Sequence, residues 1–187
     1  MAFTALFDAC VLYPAPLRDL LMHLAGTGMF RARWTADINA EWMNALLRDR
    51  PELAGRLDRT RTLMEEAVPD ALIDGYEGLI PALKLPDPAD RHVLAAAIVG
   101  RVDVIVTRNL RDFPAATLAS FRIEAQHPDV FIRHALELDE AAALDAVRRL
   151  RAALRAPLVD VVTYLDTLAR QELPETVAVL RGRASLI

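Results

Sequence analysis

Leu85–Pro114 reads L-P-D-P-A-D-R-H-V-L-A-A-A-I-V-G-R-V-D-V-I-V-T-R-N-L-R-D-F-P. It opens as a helix start. Asp87 is a capping residue type, Pro88 suits the first helical position, and Asp90 falls where a carboxylate meets unpaired N–H groups. Val93, Leu94, Ala97 and Ile98 recur at helical spacing until Gly100, which predicts a C-terminal stop there. Val102–Val106 is a short β-branched run, the pattern of a buried strand. Residues 107–112 then form a polar turn that ends at Phe113-Pro114. A helix feeding a buried strand predicts an α/β fold with a small parallel sheet. Such open sheets place ligands outside the carboxyl ends of their strands, where this stretch delivers its acids.

Working outward, Phe3–Phe7 (F-T-A-L-F) predicts a central first strand with Asp8 at its carboxyl end. A carboxylate there is costly unless a cation or donors compensate it, although a plain capping role accounts for Asp8 equally well. Leu17, Leu20, Leu21 and Leu24 form the stripe of a helix over 17–25. A second helix runs from Trp34–Ala36 to about Arg50, where Pro51 stops it. Ile38, Trp42 and Leu46 mark its buried face. Glu41 borders that face, so it either points at a site or lies solvated on the shoulder.

A third helix is predicted over 52–67. Its arginines Arg56, Arg59 and Arg61 read as a solvated face or a phosphate contact. A loop with one helical turn follows over 69–81. Beyond the central stretch come a strand over 121–125 and a helix over 128–136. From Asp139 the pattern is all-helical: 139–154 with a break at Pro157, then 159–171 and 175–183. Residues 1–135 therefore read as the α/β domain and 136–187 as a helical C-terminal extension.

The 187 residues are 53% hydrophobic and 26% charged, a globular composition, and the formal charge is −4. With no global basic field, a nucleic-acid partner needs a local basic patch or metal ions that offset the acids. A single cysteine, Cys10, excludes an intramolecular disulfide framework and suits a reducing compartment. No leader and no apolar run of about 18 residues appears, which predicts a cytoplasmic protein without a membrane role.

Asp8, Asp90 and Asp112 all fall on the presumed carboxyl edge, with Glu41 arriving from a neighbouring helix. Carboxylates gathered this closely repel one another unless a cation binds. Hard oxygen ligands with no His or Cys spacing select Mg²⁺ or Mn²⁺ over zinc. That chemistry suits phosphodiester hydrolysis. Arg91, Arg108 and Arg111 flank the acids and either hold phosphates or solvate the surface. Asn109 and Thr107 either orient a ligand or water or cap the turn. His92 lies beside Asp90 but faces another way and reads as structural; His23, His127 and His134 are scattered. The glycine-rich nucleotide motifs and the serine-hydrolase elbow do not occur.

Four segments together, F-D-A-C-V-L-Y-P, W-T-A-D-I-N-A-E-W, L-P-D-P-A-D-R-H-V-L-A-A-A-I and I-V-T-R-N-L-R-D-F-P, resemble the PIN-domain proteins in order and spacing. In particular they resemble the VapC-type toxins of prokaryotic toxin–antitoxin pairs. The resemblance covers about residues 1–135, and the tail resembles the extension of a longer branch. It implies a three-layer PIN-like sandwich and an endoribonuclease with an acidic Mg²⁺ or Mn²⁺ site. It also implies a VapB-like antitoxin and a homodimer. Carried over residue by residue, Asp8 is the first acid, Glu41 the second, Asp90 the third, and Asp112 or Asn109 stands near the fourth place. Two positions depart from the pattern. Cys10 stands where the branch usually carries Asn, and Asn109 where many PIN domains carry an acid. Those departures keep a second reading open, a non-catalytic module that binds RNA or protein. A phosphatase using Asp8 as nucleophile is weaker, because that chemistry favours an Asp at position 10.

Overall fold

The computed structural model describes residues 3–154 and 158–187. In chain order it contains β1 (Phe3–Phe7), α1 (Ala9–Leu12), α2 (Ala15–Ala25), β2 (Phe30–Arg33), α3 (Ala36–Asp49), α4 (Leu57–Ala67) and α5 (Arg91–Val99). Then follow β3 (Val104–Val106), α6 (Ala115–Ala119), β4 (Glu124–Gln126), α7 (Pro128–Leu138), α8 (Glu140–Ala153), α9 (Val161–Ala169) and α10 (Pro174–Arg181). Single 3-10 turns at Pro88–Asp90 and Leu110–Asp112 bracket α5 and β3. The expected break at Pro157 lies outside the described residues.

The sheet runs β2-β1-β3-β4 with every pair parallel, Phe3 opposite Phe30 and Phe7 opposite Val106. The chain leaves β1 for β2 on one side, then crosses to β3 on the other. Strand order therefore reverses between β1 and β3, and the crevice outside the carboxyl ends of those two strands is the switch point where such sheets take ligands. Ala5, Leu6, Phe7, Ile105 and Val106 are all fully buried. Consecutive buried residues mean that helices cover both faces of the sheet, the three-layer arrangement expected. Phe3, Phe7, Phe30 and Phe131 pack mostly edge to face with centroids 4.9–6.1 Å apart. Phe131 thereby ties α7 to β1 and β2, each aromatic pair adding about 0.5–1.5 kcal/mol beyond its buried area.

One strand was not expected and two local readings change. Phe30–Arg33 forms a strand: F-R-A-R buries only Phe30 and Ala32, the alternation of a strand with one face on the core. The helix expected from 52 begins at Leu57, because Gly55 at φ +79° interrupts the chain there. The last strand lies at 124–126 instead of 121–125, since Arg122 takes φ +59° and Phe121 stays partly exposed.

Gly100 does follow α5, but at φ −74°, and Arg101 takes the left-handed conformation instead. The glycine serves close approach: a Cβ at position 100 would lie 2.5 Å from Ile73 Cδ1.

The helical extension is joined to this core. α8 packs on α2, and α10 on α7 and α9. Asp129, only 4% exposed, accepts hydrogen bonds at 2.8 Å from the backbone N–H groups of both Glu175 and Thr176. It thus satisfies two donors that the first turn of α10 leaves free. Among the described residues, no helix is long and apolar enough to cross a membrane.

Candidate active site

Asp8 ends β1 and caps α1. Its backbone is extended, its Oδ1 accepts from Ala9 N–H at 2.7 Å, and it is 5% exposed. The parallel register sets Thr107 beside it across the β1–β3 gap, and the fully buried Thr107 hydroxyl donates to Asp8 Oδ2 at 2.7 Å. Cys10 Sγ donates to the same oxygen at 3.1 Å. Burial, and then the charge of Asp8, push the Cys10 thiol up to about 12, so it stays protonated. Asn109 N–H donates to Thr107 Oγ1 at 3.0 Å. One buried carboxylate is thus held by three donors, and its donor Thr107 is itself held by the next turn.

Asp87 caps the 3-10 turn Pro88–Asp90, and that turn sets Asp90 as the N-cap of α5. Partial burial, then the negative charges of Asp8, Asp112 and Asp87, raise the Asp90 carboxyl to about 6. These like charges show that Asp8, Asp90 and Asp112 share one electrostatic neighbourhood at the switch point. Asp112 reaches it from the turn Leu110–Asp112, just past β3. Among the described residues, no three acids, histidines or cysteines are drawn together into a ready-made metal cage.

Glu41 stands on α3 and its Oε1 meets His92 Nε2 at 2.9 Å. Burial works to lower the His92 pKa, but the hydrogen bond and charge of Glu41, then the charges of Asp37 and Asp8, outweigh it and raise the value. His92, expected to be structural, pairs with Glu41, a contact hidden from the sequence because the partner lies on another helix. The flanking arginines separate. Arg91 and Arg111 make no ion pair among the described residues. Arg108 is engaged: its Nη2 donates to Gln171 O at 2.9 Å, and Nη1 lies 3.9 Å from Glu172 Oε2.

Comparison with known proteins accords with this geometry. The model of the PIN domain matches residues 4–111, more than half of the chain. The chain belongs to the PIN-domain family. The model of the VapC50 C-terminal domain matches residues 128–182, which are α7–α10. A Mycobacterium tuberculosis protein described as "Putative ribonuclease VapC50" is 36% identical over 121 residues, covering 65% of this chain and 71% of that protein. The PIN domain here is therefore of the VapC type and carries the helical extension of that branch. No solved structure matches the chain.

Asp8, Asp90 and Asp112 are thus coupled through their charges, and Glu41 pairs with His92. Cys10 and Thr107, the first a departure and the second a turn residue in the sequence, both act by holding Asp8.

Proposed function

We propose that this VapC-type PIN protein is a Mg²⁺- or Mn²⁺-dependent endoribonuclease that hydrolyses RNA phosphodiester bonds, the toxin of a pair with a VapB-like antitoxin. The observation that carries the reading is a buried carboxylate, Asp8, at the carboxyl end of the central strand of a VapC-type PIN fold, with Asp90 and Asp112 near enough for the three charges to act on one another. The donor set fits a hard divalent ion: carboxylate oxygens, with no thiolate and no free imidazole among them. Asp8, Asp90 and Asp112 would hold it, with Glu41 at the flank. When bound, such an ion offsets phosphoryl charge and lowers the pKa of a water.

The chain's own groups do the rest. Thr107, Cys10 and the Ala9 N–H fix the Asp8 carboxylate in one orientation, as outer partners of a ligand do. Asn109 stands near the place of a fourth acid and presents an amide instead, so Asp112 is the fourth carboxylate in this reading. His92 holds Glu41 and balances its charge. Arg91 and Arg111 supply cations for the substrate's phosphates. Residues 1–135 form the nuclease unit and 136–187 its extension, acting as a homodimer in the cytoplasm.

The test is cleavage of a mixed RNA pool by the purified protein with Mn²⁺ or with EDTA, wild type beside Asp90→Ala. Cuts that require Mn²⁺ and vanish in the variant are expected. Cleavage by Asp90→Ala at the wild-type rate would overturn the assignment.

A further inference from the structure

Beside the acids lies an open groove of about 540 Å³, bounded by α1, one stripe of α3 and the turn after β3. Its size falls within the range of about 300–1,000 Å³ typical of ligand pockets. On α3 the lining residues Glu41, Asn44, Ala45 and Arg48 follow at i, i+3, i+4 and i+7, a single helix face. On α1 and its C-cap they are Ala9, Cys10 and Tyr13, so the groove continues directly from the residues that hold Asp8. We infer that this groove binds one nucleotide of single-stranded RNA next to the cleaved phosphodiester. In that arrangement Asn44 and Asn109 read the base edge, and Arg48 and Arg108 take the flanking phosphates. The inference rests on the ribonuclease reading above and goes further by naming where the substrate's base sits and which residues choose it.

Four features point to RNA as the occupant. Tyr13 donates its hydroxyl to Asp49, which fixes its ring against α3 as a platform of the kind on which bases stack. The amides of Asn44 and Asn109 make no side-chain hydrogen bond among the described residues, so both donor and acceptor face solvent in the groove. Arg48 is exposed and unpaired among those residues, a cation lining the groove. Arg108 is held by the Gln171 carbonyl of the helical extension, while its buried Nε finds no protein partner. A guanidinium with five donors keeps enough of them free for a phosphate. Its position is set in advance by the extension, which lowers the ordering cost of binding. Two arginines, an aromatic platform and two free amides beside an acidic centre complement a nucleotide strand. Single-stranded RNA is read by this combination of stacking and edge contacts.

The experiment uses Asn44→Ala and Arg48→Ala, both exposed on α3, with Arg59→Ala on α4 as an off-groove control. Cleavage sites are mapped in a random-sequence single-stranded RNA pool with Mn²⁺. Affinity for a fluorescent single-stranded oligonucleotide is measured by anisotropy across salt concentrations, in the Asp90→Asn background. Asn44→Ala is expected to relax base preference about tenfold at one fixed position relative to the cut, and to spare the other positions. Arg48→Ala is expected to weaken all sequences alike and to reduce the salt slope by about 0.7, the loss of one phosphate contact on a single strand. Arg59→Ala should match the parent. Unchanged base preference and unchanged affinity in both groove variants, with wild type still cutting, would overturn the subsite while the nuclease stands, and leave the groove to a protein partner. A wild type that does not cut, yet loses RNA affinity through Arg48→Ala, would sustain the subsite and overturn the nuclease. A protein that neither cuts nor binds RNA would overturn both.

Discussion

Asp90→Asn should stabilise the metal-free protein at neutral pH, and the sign follows from the acids around it. In the folded state the Asp90 carboxyl stands at about 6, against an ordinary value of 3.8. The folded protein thus binds more protons than the unfolded chain between those values, so stability falls as pH rises from about 4 to about 6 and stays low above. About two pK units, at ~1.4 kcal/mol each, set a ceiling of about 3 kcal/mol. Asp90 is only half-buried, and solvent screening reduces this to about 1.5 kcal/mol. Asparagine caps a helix as well as aspartate does, but it forgoes the favourable charge at the α5 N-terminus, worth about 0.5 kcal/mol. The net expectation is a gain of about 1 kcal/mol at pH 7.5 in EDTA, and none at pH 4. Urea denaturation of both proteins at the two pH values measures it. Millimolar Mn²⁺ should reverse the order, since an ion that binds only the folded wild type stabilises it by mass action. A variant less stable than wild type in EDTA at pH 7.5, or a difference that does not change with pH, would refute the like-charge account.

Three other perturbations probe the supporting contacts. Thr107→Val keeps the shape but removes the 2.7 Å bond to Asp8; stability should fall by about 1–2 kcal/mol and RNA cleavage by about 10–100-fold, and cleavage at the wild-type rate would deny Thr107 its positioning role. Glu41→Gln removes the charge that raises His92, so the His92 imidazole should titrate at lower pH in an NMR experiment. Because a raised histidine contributes stability that is lost as pH rises through its folded value, the pH dependence above about 6.5 should flatten in the same variant. Asp129→Ala leaves two backbone donors of α10 unpartnered, which should cost about 2–4 kcal/mol and speed amide exchange across α10; protection equal to wild type would count against docking through this carboxylate.

What could be read in the sequence is what local pattern determines. The buried run F-T-A-L-F followed by Asp8, and the β-branched run followed by Thr107, carry their strand assignments in a few residues. Parallel pairing of β1 with β3 then places Asp8 beside Thr107. What could not be read depends on how elements turn toward one another. Phe30–Arg33 is only four residues long, two of them charged, too short an alternation to stand out until β1 lies beside it. His92 points away from Asp90 by helical geometry, but only the packing of α5 near α3 shows that it points at Glu41.

Arg108 is the sharpest case. Its neighbours in sequence suggest a free cation for phosphates, whereas its carbonyl partner Gln171 lies 63 residues further on, in the turn between α9 and α10. That turn is held in place by Asp129, at the start of α7 just past the end of β4, which caps α10. The carboxyl edge of the sheet therefore continues physically from Asp8 and Thr107 through Arg108 into the helical extension. A change that loosens α10 from Asp129 should be felt at Arg108, which lines the groove beside Cys10.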